Sequence, residues 1–595
     1  MCGIVGYVGH RDALPLLLNS LERVTYRGYD SFGVALLNGQ RIEVYKSVGT
    51  VEECRAQVPP LQGTLAIGHT RWSTVGKVSV DNAHPHLDCS GEVAIVHNGD
   101  IDNFSYLRQR LQDQGHSFRS ETDSEVIAHL IEAYSNGDIV DAVSRAMREL
   151  EGSFAIAVLH RPSRQIVAAR RESPLVIGLG KGEAFIASDI PAILPYTNQV
   201  AFLEDGDLAL VSEEGLRVWH DGREASRQVH QVSWSAEQMS KGGYDQFMLK
   251  EIYEQPQAIR DTVADYTEQS RGGPSLGCFL PVTDPDVVLL LGCGTSYHAA
   301  LLGEQLLSRL LPGPVVARVA SEFQAGSLRS DRGLAIAFSQ SGETTDTITA
   351  LRHVKSAGFS SLAVTNGRES SITRAVDDTL YTRAGPEVAV ASTKTFISQL
   401  VALYVLAYQL APDRQAVEMI PRNLRALPGK VRQLLANVET IQQLAGELAE
   451  APYMFVIAKG LDVPVALEGA LKFKEVAYLH TEGYPAGELK HGPFALLQEE
   501  TPVLAIVPAD QHRARMLTTI REIKTRGSRV IAIAAQDDEE VAEFADSVLR
   551  IPKIDPLMCP VLNTVMVQLL SYYCALERGC PIDRPRNLAK SVTVP

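Results

Sequence analysis

The hydrophobic pattern of the first 235 residues predicts strands interleaved with helices. Residues 42–45, 92–96 and 154–158 carry the alternating or wholly apolar patterns of half-buried and buried strands. Residues 124–131 have the apolar spacing of a helix. Strands and helices mixed in this way predict a layered α+β domain over residues 1–235.

The pattern changes after a polar, glycine-containing stretch at 236–246, which predicts an interdomain linker. Continuous apolar runs follow at 287–291, 334–338 and 361–365. The first two each lead into a short turn rich in glycine, serine and threonine, and then into a helical pattern. Strand, short turn and helix in repetition predict a parallel sheet that is covered by helices on both faces.

This second part of the chain repeats itself weakly. The apolar run that ends at Gly460 resembles the run that ends at Gly292, and Gly358 recurs as Gly527, so the offset is 168 or 169 residues. A repeat of this length predicts two tandem α/β subdomains of similar fold. We place these subdomains at 247–430 and 431–582, followed by a proline- and arginine-rich tail at 583–595.

Composition narrows the class of protein. The net charge is −15 and no lysine/arginine cluster is present, which argues against nucleic acid as a partner. Eight cysteines occur without a Cys-x-x-Cys pair, so the sequence predicts no zinc or other metal site and no disulfide framework. The chain opens with no secretory signal pattern, and we expect no apolar stretch of membrane-spanning length. A cytoplasmic protein without membrane association is therefore expected.

The most suggestive chemical group is Cys2, which stands directly before the small residue Gly3. Removal of Met1 would give the chain an N-terminal residue with both a thiol and a free amine. Such a residue can act as nucleophile and base together, because its amine can accept the thiol proton. A cysteine at position 2 is more often incidental, so its meaning depends on the rest of the chain.

Further segments of the first domain combine polar side chains with turn signals. Asn98-Gly99 is a strong turn signal, and Asp123 precedes a predicted helix that it would cap. Each has a purely structural explanation when taken alone. Together with Cys2 they also fit a glutamine site, since Asn98 and Gly99 offer two donors to an oxyanion. Arg71 would pair with the glutamine carboxylate, and Asp123 with its ammonium group.

These segments resemble the class II, or N-terminal nucleophile, glutamine amidotransferases. The resemblance rests on Met-Cys-Gly-Ile-Val-Gly at 1–6, Tyr-Arg-Gly-Tyr-Asp-Ser at 26–31, His-Thr-Arg-Trp at 69–72, Asn-Ala-His-Pro-His at 82–86 and His-Asn-Gly at 97–99. It implies an αββα fold, Cys2 as nucleophile, and an oxyanion hole and glutamine clamp made by the residues just named. It also implies that Trp72 gates an ammonia channel and that Trp72, Arg27 and His84 contribute to glutamine binding. Val75 departs from the family, which often has histidine there.

In the second part, the turn Ser339-Gln340-Ser341-Gly342-Glu343-Thr344 lies between a predicted strand and helix. Hydroxyl groups and helix N-terminal N–H groups at the carboxyl edge of a parallel sheet favour a phosphate site, although such a loop can also merely cap its helix. Thr295-Ser296 and Ser392-Thr393 occupy comparable turns. No nucleotide P-loop motif is present.

Glu468, Lys472 and Glu475 are predicted to share one face of a helix, at positions i, i+4 and i+7. A solvated ion-pair stripe is the ordinary explanation, but the surrounding residues are mostly apolar. Buried carboxylates beside lysine, with His491 in a following loop, would be acid–base groups. Lys590 in the tail fits a surface charge and an imine-forming lysine equally well.

The motifs of both halves together resemble the glutamine:fructose-6-phosphate aminotransferases, whose second half is two flavodoxin-like sugar isomerase (SIS) domains. The resemblance implies L-glutamine and fructose 6-phosphate as substrates, glucosamine 6-phosphate as product of the first step of amino-sugar synthesis, a homodimer, and no cofactor. It implies catalytic roles for Glu475, His491 and Lys590. The implied sugar-phosphate site comprises Ser296, Ser339, Gln340, Ser341, Thr344, Val390, Ser392, Glu468 and Lys472.

Two alternatives stay open from the sequence. The same architecture would suit an amidotransferase that acts on a different keto sugar phosphate. It would also suit a sugar-phosphate sensor or isomerase whose glutaminase half is silent.

Overall fold

The structure is a computed structural model that describes residues 2–135, 137–232, 240–267, 280–324, 326, 329–368 and 370–590. The chain divides into two compact units. The first comprises residues 1–239 together with 589–595, and the second comprises 240–588. Residues 236–239 of the predicted linker lie outside the described residues.

The first unit is built of antiparallel strands and five helices among its described residues. The strands are β1 (Gly3–Val8), β2 (Ser31–Asn38), β3 (Arg41–Val48), β4 (Leu65–Arg71), β5 (His86–Leu87), β6 (Val93–Ile101), β7 (Gly152–His160), β8 (Gln165–Arg171), β9 (Val176–Leu179), β10 (Ala184–Ala187), β11 (Gln199–Phe202), β12 (Asp207–Ser212), β13 (Gly215–His220), β14 (Arg223–Ala225) and β15 (Val229–Gln231). The helices are α1 (Ala13–Arg23), α2 (Val51–Cys54), α3 (Phe104–Asp113), α4 (Glu125–Tyr134) and α5 (Ile139–Glu149).

These strands form two sheets that pack face to face. One sheet has the order β15-β11-β9-β10-β1-β4-β2-β3, and the other β14-β13-β12-β8-β7-β6-β5. Ile4 and Ile67 of the first sheet share a buried apolar core with Val96 of the second. Alternate residues such as Val5 point the other way, into a core with α1, while α3, α4 and α5 cover the outer face of the second sheet. The predicted αββα layering is therefore confirmed.

Strand β1 delivers Cys2 to the end of β4. The two strands are antiparallel with Gly3 opposite Thr70, so the start of β1 lies beside the last residues of β4. A Cβ on Gly3 would lie 2.6 Å from Thr70 Oγ1 and 2.8 Å from a methyl group of Val24. Glycine after Cys2 is thus required for the close packing that places the thiol.

The second unit alternates strands and helices. In chain order these are α6 (Phe247–Thr267), β16 (Val287–Gly292), α7 (Thr295–Leu307), β17 (Val315–Val319), β18 (Gly333–Ser339), α8 (Thr345–Ser356), β19 (Ser360–Thr365), α9 (Ser371–Ala375), β20 (Asp378–Tyr381), α10 (Lys394–Leu410), α11 (Arg414–Val417), α12 (Ile420–Leu435), α13 (Glu439–Ala449), β21 (Tyr453–Ala458), α14 (Val463–Ala477), β22 (His480–Pro485), β23 (Val503–Ile506), α15 (Arg513–Lys524), β24 (Val530–Ala535), β25 (Ser547–Ile551) and α16 (Cys559–Glu577).

The strands of this unit form two five-stranded parallel sheets, ordered β17-β16-β18-β19-β20 and β22-β21-β23-β24-β25. Numbered within each sheet, both orders read 2-1-3-4-5, which is the flavodoxin-like arrangement. The predicted tandem α/β subdomains are confirmed as a fold. The expected boundary between residues 430 and 431 falls inside α12 rather than between elements.

Helix α16 corrects one expectation. The segment Pro556–Glu577 is long and apolar enough to span a membrane, with a mean hydropathy of 1.3 in its most apolar window, whereas we expected no such stretch. However, 94% of that window is buried inside the structure. It carries Asn563 and Gln568, which are hydrogen-bonded to Asp462 and Gln255. These buried polar contacts are those of a core helix in the second unit.

Candidate functional site

The Cys2 thiol lies against the backbone of Trp72. The Trp72 N–H donates to Cys2 Sγ at 3.3 Å, and the thiol faces the Trp72 carbonyl oxygen at 3.5 Å. Burial raises the pKa of the Cys2 thiol, while the Trp72 N–H and the charge of Arg71 act in the opposite direction. A buried thiol needs a local base to become a thiolate, and this is the function predicted for the α-amine of a mature Cys2.

Two side chains hold the backbone of Cys2. Its carbonyl oxygen accepts from Asn98 Nδ2 at 2.9 Å and from Arg27 Nε at 3.2 Å. Arg27 is 3% exposed and also donates to Asp189 at 3.2 Å. The structure therefore places Arg27 on the backbone of Cys2, and its contribution to glutamine binding stays a prediction.

A buried histidine fixes the amide of Asn98. His69 Nε2 lies 3.0 Å from Asn98 Oδ1 and 2.9 Å from the His97 carbonyl oxygen. Since both neighbours are acceptors, we assign the proton of His69 to Nε2. Burial lowers the pKa of His69 to about 3, so the ring is neutral. The Asn98 amide is thereby oriented with Nδ2 toward Cys2, and its second N–H is available to an oxyanion.

His84 belongs to the support of this amide. Its ring stacks on His69 with centroids 4.1 Å apart, and its Nδ1 accepts from the His97 N–H at 3.3 Å. Burial also lowers the pKa of His84, so it stays uncharged. His84 therefore contacts the residues that hold the Asn98 amide, and its contribution to glutamine binding stays a prediction.

Gly99 occupies a backbone conformation that an L-side chain rarely adopts. Its φ is +124°, and a Cβ there would overlap the Ser153 carbonyl oxygen on β7. Gly99 lies opposite Phe154 in the β6–β7 ladder, next to Asn98. A side chain at this position would therefore push β6 away from β7 and displace the Asn98 amide.

We expect Gly99→Ala to reduce glutamine hydrolysis by roughly 10²- to 10³-fold, as the loss of an oxyanion donor does. Gly39→Ala is a matched control, because Gly39 also has a positive φ of +58° but a Cβ there meets nothing within 4 Å. The control should lose about 1 to 2 kcal/mol of stability from left-handed strain and keep its hydrolysis rate. Steady-state glutamate release by both variants checks this, and equal rates would remove Gly99 from the oxyanion site.

Arg71 and Asp123 both influence the pKa of Cys2, so they lie within electrostatic reach of the thiol. Arg71 donates to Ser73 Oγ at 2.8 Å and to the Val75 carbonyl oxygen, which orders the loop after β4. Asp123 accepts from the Ile101 N–H at 2.9 Å. The hydrogen bond from Arg71 to Val75 uses the carbonyl oxygen of Val75. It therefore does not require the histidine that the family often has at this position.

The structure also adds residues that the sequence reasoning did not select. His69 and His97 lie beside Asn98, as described above. Asp30 accepts from the Ser73 N–H at 2.8 Å and so holds the loop that carries Trp72. His69, His97 and Asp30 stand within the motifs that carried the resemblance, so a signal for them was present in the sequence.

In the second unit, the predicted phosphate loop follows β18 and leads into α8. Ser339 Oγ accepts from the Gly342 N–H at 3.1 Å and lies 3.2 Å from Thr344 Oγ1. Gly342 has a φ of +70°, and a Cβ there would overlap Ser370 Oγ. The loop is thus tightly wound, and its hydroxyl groups converge at the start of a helix, where an anion is stabilised.

Neighbouring turns place the other predicted sugar-site residues. Ser296 accepts from Gln399 Nε2 at 3.0 Å. Ser392 Oγ lies 2.7 Å from Thr395 Oγ1, while the Val390 N–H donates to the Asp583 carbonyl oxygen at 3.1 Å. Gln399 and Thr395 were not predicted from the sequence.

The three charged residues of α14 do not form a solvated stripe. Lys472 is fully buried, with Nζ 2.5 Å from Glu475 Oε2, 3.3 Å from Glu468 Oε1 and 3.2 Å from Thr295 Oγ1. Burial alone would lower the pKa of Lys472, but the carboxylates of Glu468 and Glu475 raise it above its usual value. Lys472 is therefore a fixed cation between two carboxylates.

His298 of α7 joins this network from the other subdomain, because its Nδ1 lies 2.7 Å from Glu468 Oε2. Glu468 is fully buried, so its carboxylate depends on Lys472 for a counter-charge and on His298 for a hydrogen-bond partner. His298 was not predicted from the sequence, although it lies only two residues after the predicted Ser296.

The structure does not assemble all of the predicted sugar-site residues in one unit. His491 is exposed on the 3₁₀ turn Glu488–His491, in the same unit as Glu475. Lys590 groups with the first unit, whereas residues up to 588 group with the second.

Taken together, the fold and site define a glutamine amidotransferase unit joined to two sugar isomerase domains. The profile of the Glutamine amidotransferase domain matches residues 69–195, and that of the SIS domain matches 283–409 and 447–578. The C-terminal domain of glucosamine-fructose-6-phosphate aminotransferase from Francisella tularensis is 33% identical, with a TM-score of 0.55 over 58% of this chain and 100% of that one.

Curated relatives match along the whole chain. Glutamine--fructose-6-phosphate aminotransferase [isomerizing] of Caldanaerobacter subterraneus is 45% identical over 610 aligned residues, and that of Thermus thermophilus is 43% identical over 603. Each alignment covers 100% of both chains. This chain belongs to the family of isomerizing glutamine–fructose-6-phosphate aminotransferases.

Proposed function

We propose that this enzyme transfers the amide nitrogen of L-glutamine to fructose 6-phosphate and isomerises the product to glucosamine 6-phosphate, releasing glutamate. The observation that carries the proposal is the presence of two sites of different chemistry in one chain. One is the thiol of the half-buried Cys2 beside an oriented amide, and the other is a buried Lys472 between two carboxylates, in the unit that also holds a hydroxyl-lined anion loop.

In the first unit, the Cys2 thiolate attacks the amide carbon of glutamine after its α-amine has taken the thiol proton. Asn98 Nδ2 and the Gly99 N–H stabilise the oxyanion, and Arg71 and Asp123 hold the α-carboxylate and α-ammonium groups of glutamine. The C–N bond breaks, ammonia leaves with the proton, and a thioester remains. Water then releases glutamate and restores the thiol. Ammonia passes Trp72 on a route closed to bulk water, where protonation would make it non-nucleophilic.

In the second part of the reaction, the phosphate of fructose 6-phosphate binds at Ser339, Gln340, Ser341 and Thr344. His491 assists opening of the sugar ring, and Lys590 forms an imine with the C2 carbonyl, from which ammonia displaces it. Glu475 then moves a proton from C1 to C2. The ketose imine becomes the 2-amino aldose, so lysine and glutamate suffice for the carbonyl chemistry.

Glu468 and Lys472 orient the sugar hydroxyls or assist the proton transfer by Glu475. Ser296, Val390 and Ser392 line the sugar pocket. We also propose that the enzyme is a homodimer and that it is cytoplasmic. Sedimentation of the purified chain tests the dimer directly. The proposal also includes the division into a glutaminase domain, two SIS domains and a functional tail.

Lys590→Ala tests the imine step. We expect sugar amination to be lost while glutamine hydrolysis continues, because the hydrolytic groups are on other segments. Lys474→Ala is the control, since Lys474 is an exposed lysine of the second unit, and it should leave both activities unchanged. Glucosamine 6-phosphate and glutamate are quantified in the same reaction. Amination that survives Lys590→Ala would eliminate this lysine as the imine-forming group.

A further inference from the structure

A second cluster of reactive side chains lies in the first unit, outside the glutamine site. Cys89 follows β5, His116 follows α3, and His129 and Glu132 lie one turn apart on α4. One ligand-type atom from each of these residues lies within 4.8 Å of all the others. Three separate elements of the fold therefore deliver a thiol, two imidazoles and a carboxylate to one point.

The distances within the cluster are close to those of a tetrahedral site. Cys89 Sγ lies 3.5 Å from His129 Nδ1 and 3.8 Å from His116 Nδ1. Glu132 Oε2 lies 2.8 Å from His116 Nδ1 and 3.3 Å from His129 Nδ1. Ligand atoms at the usual bond lengths of tetrahedral zinc are separated by about 3.3 to 3.6 Å. To complete the tetrahedron, His116 Nδ1 and Glu132 Oε2 would move apart by about half an ångström, and Cys89 Sγ would approach His116 Nδ1 by about 0.2 Å.

The donor set selects the kind of metal. A thiolate and two imidazoles are ligands of zinc and disfavour calcium and magnesium, which take oxygen ligands. Four protein ligands leave no open position, which is typical of a structural rather than a catalytic zinc. We propose that Cys89, His116, His129 and Glu132 form a structural Zn²⁺ site.

The surroundings of His129 fit this arrangement. With Nδ1 facing the cluster, its other nitrogen, Nε2, is buried without a hydrogen bond and lies 3.7 Å from Glu125 Oε1. Metal binding through Nδ1 requires the proton to be on Nε2, where it faces this carboxylate. Glu125 is itself held by the Arg119 and Ser120 N–H groups at 2.8 and 2.7 Å. A metal-bound histidine oriented by a carboxylate is a common outer-sphere arrangement.

The two histidines of the cluster flank the chain segment that carries Asp123, so a bound metal would restrain that segment. Asp123 lies between His116 and His129 in the chain, two residues before the first residue of α4. A metal bound to both histidines would tie down both ends of the segment that carries Asp123. The Zn²⁺ site would thereby stabilise the first unit, and with it the position of a predicted glutamine ligand.

Metal titration of the untagged full chain tests the site. Cys2→Ala is used as the background, so that the reactive thiol cannot bind metal. We expect one Zn²⁺ per chain in competition with a chromophoric chelator, and a thiolate-to-metal absorption band when Co²⁺ replaces it. Zn²⁺ should also raise the melting temperature, since it binds the folded state.

Variants in the same background decide whether these four residues are the ligands. Cys89→Ser and His116→Gln should each weaken Zn²⁺ binding by at least about 100-fold and remove the Zn²⁺-dependent rise in melting temperature. Cys580→Ser and His10→Gln change the same residue types elsewhere and should bind Zn²⁺ like the background. No stoichiometric Zn²⁺ in the background, or equal binding by all four variants, would overturn the proposal.

Discussion

Cys2→Ala should abolish glutamine-dependent formation of glucosamine 6-phosphate, with a loss of at least about 10³-fold. The thiol is the only group in this site that we assign to attack the amide carbon. Ammonia supplied at high concentration should still be incorporated into fructose 6-phosphate, because the sugar site lies on other residues. The two rates are measured side by side with glutamine and with ammonium salt as nitrogen source.

Two controls sharpen this result. Cys54→Ala removes the thiol of a buried cysteine elsewhere in the first unit and should leave both rates unchanged. A preparation that retains Met1 should behave like Cys2→Ala, because the free amine then belongs to Met1 and not to the nucleophile. Full glutamine-dependent synthesis with Met1 still attached would refute the role of the Cys2 amine as base.

Lys472→Met should both destabilise the second unit and stop sugar amination. Removing a buried cation leaves Glu468 and Glu475 without their shared partner, and breaking a buried ion pair in this way costs about 3 to 5 kcal/mol. Amination should fall at least about 100-fold, because Glu475 loses the contact that positions it. Glutamine hydrolysis in the first unit should persist. Denaturant unfolding and product formation are the measurements.

A double variant distinguishes the effect of Lys472 on sugar amination from its effect on the stability of the second unit. Combining Glu468→Gln with Lys472→Met removes one of the two uncompensated carboxylates, so part of the lost stability should return while amination stays absent. Lys474→Met is the matched control on the same helix, since Lys474 is exposed, and it should change neither quantity. Amination restored together with stability would show that Lys472 has only a structural role.

Much of the fold was predictable because its signals are local. The apolar runs that became β16 and β18, with their following turns, identify a parallel sheet from the sequence alone. Helix α16 was harder to interpret, because composition does not say whether an apolar helix is covered by protein. Its buried Asn563 and Gln568 become informative only when their partners elsewhere in the second unit, Asp462 and Gln255, are known.

The candidate site was predictable where a motif encodes it, as for Cys2 and Asn98. His298 was missed because its partner, Glu468, is 170 residues away in the other subdomain. The contact of Arg27 to the Cys2 carbonyl was not predicted for a similar reason, since it depends on tertiary packing. The Cys89 cluster has no Cys-x-x-Cys spacing, and its ligands come together only because three elements meet.

The most direct test of glutamine-dependent sugar amination is mass spectrometry of the products formed from amide-¹⁵N glutamine and fructose 6-phosphate. We expect glucosamine 6-phosphate that carries the ¹⁵N label, formed in equal amount with unlabelled glutamate, even when unlabelled ammonium is present in the solution. Glucose 6-phosphate as the only sugar product, or an amino sugar without the label, would contradict the proposed function.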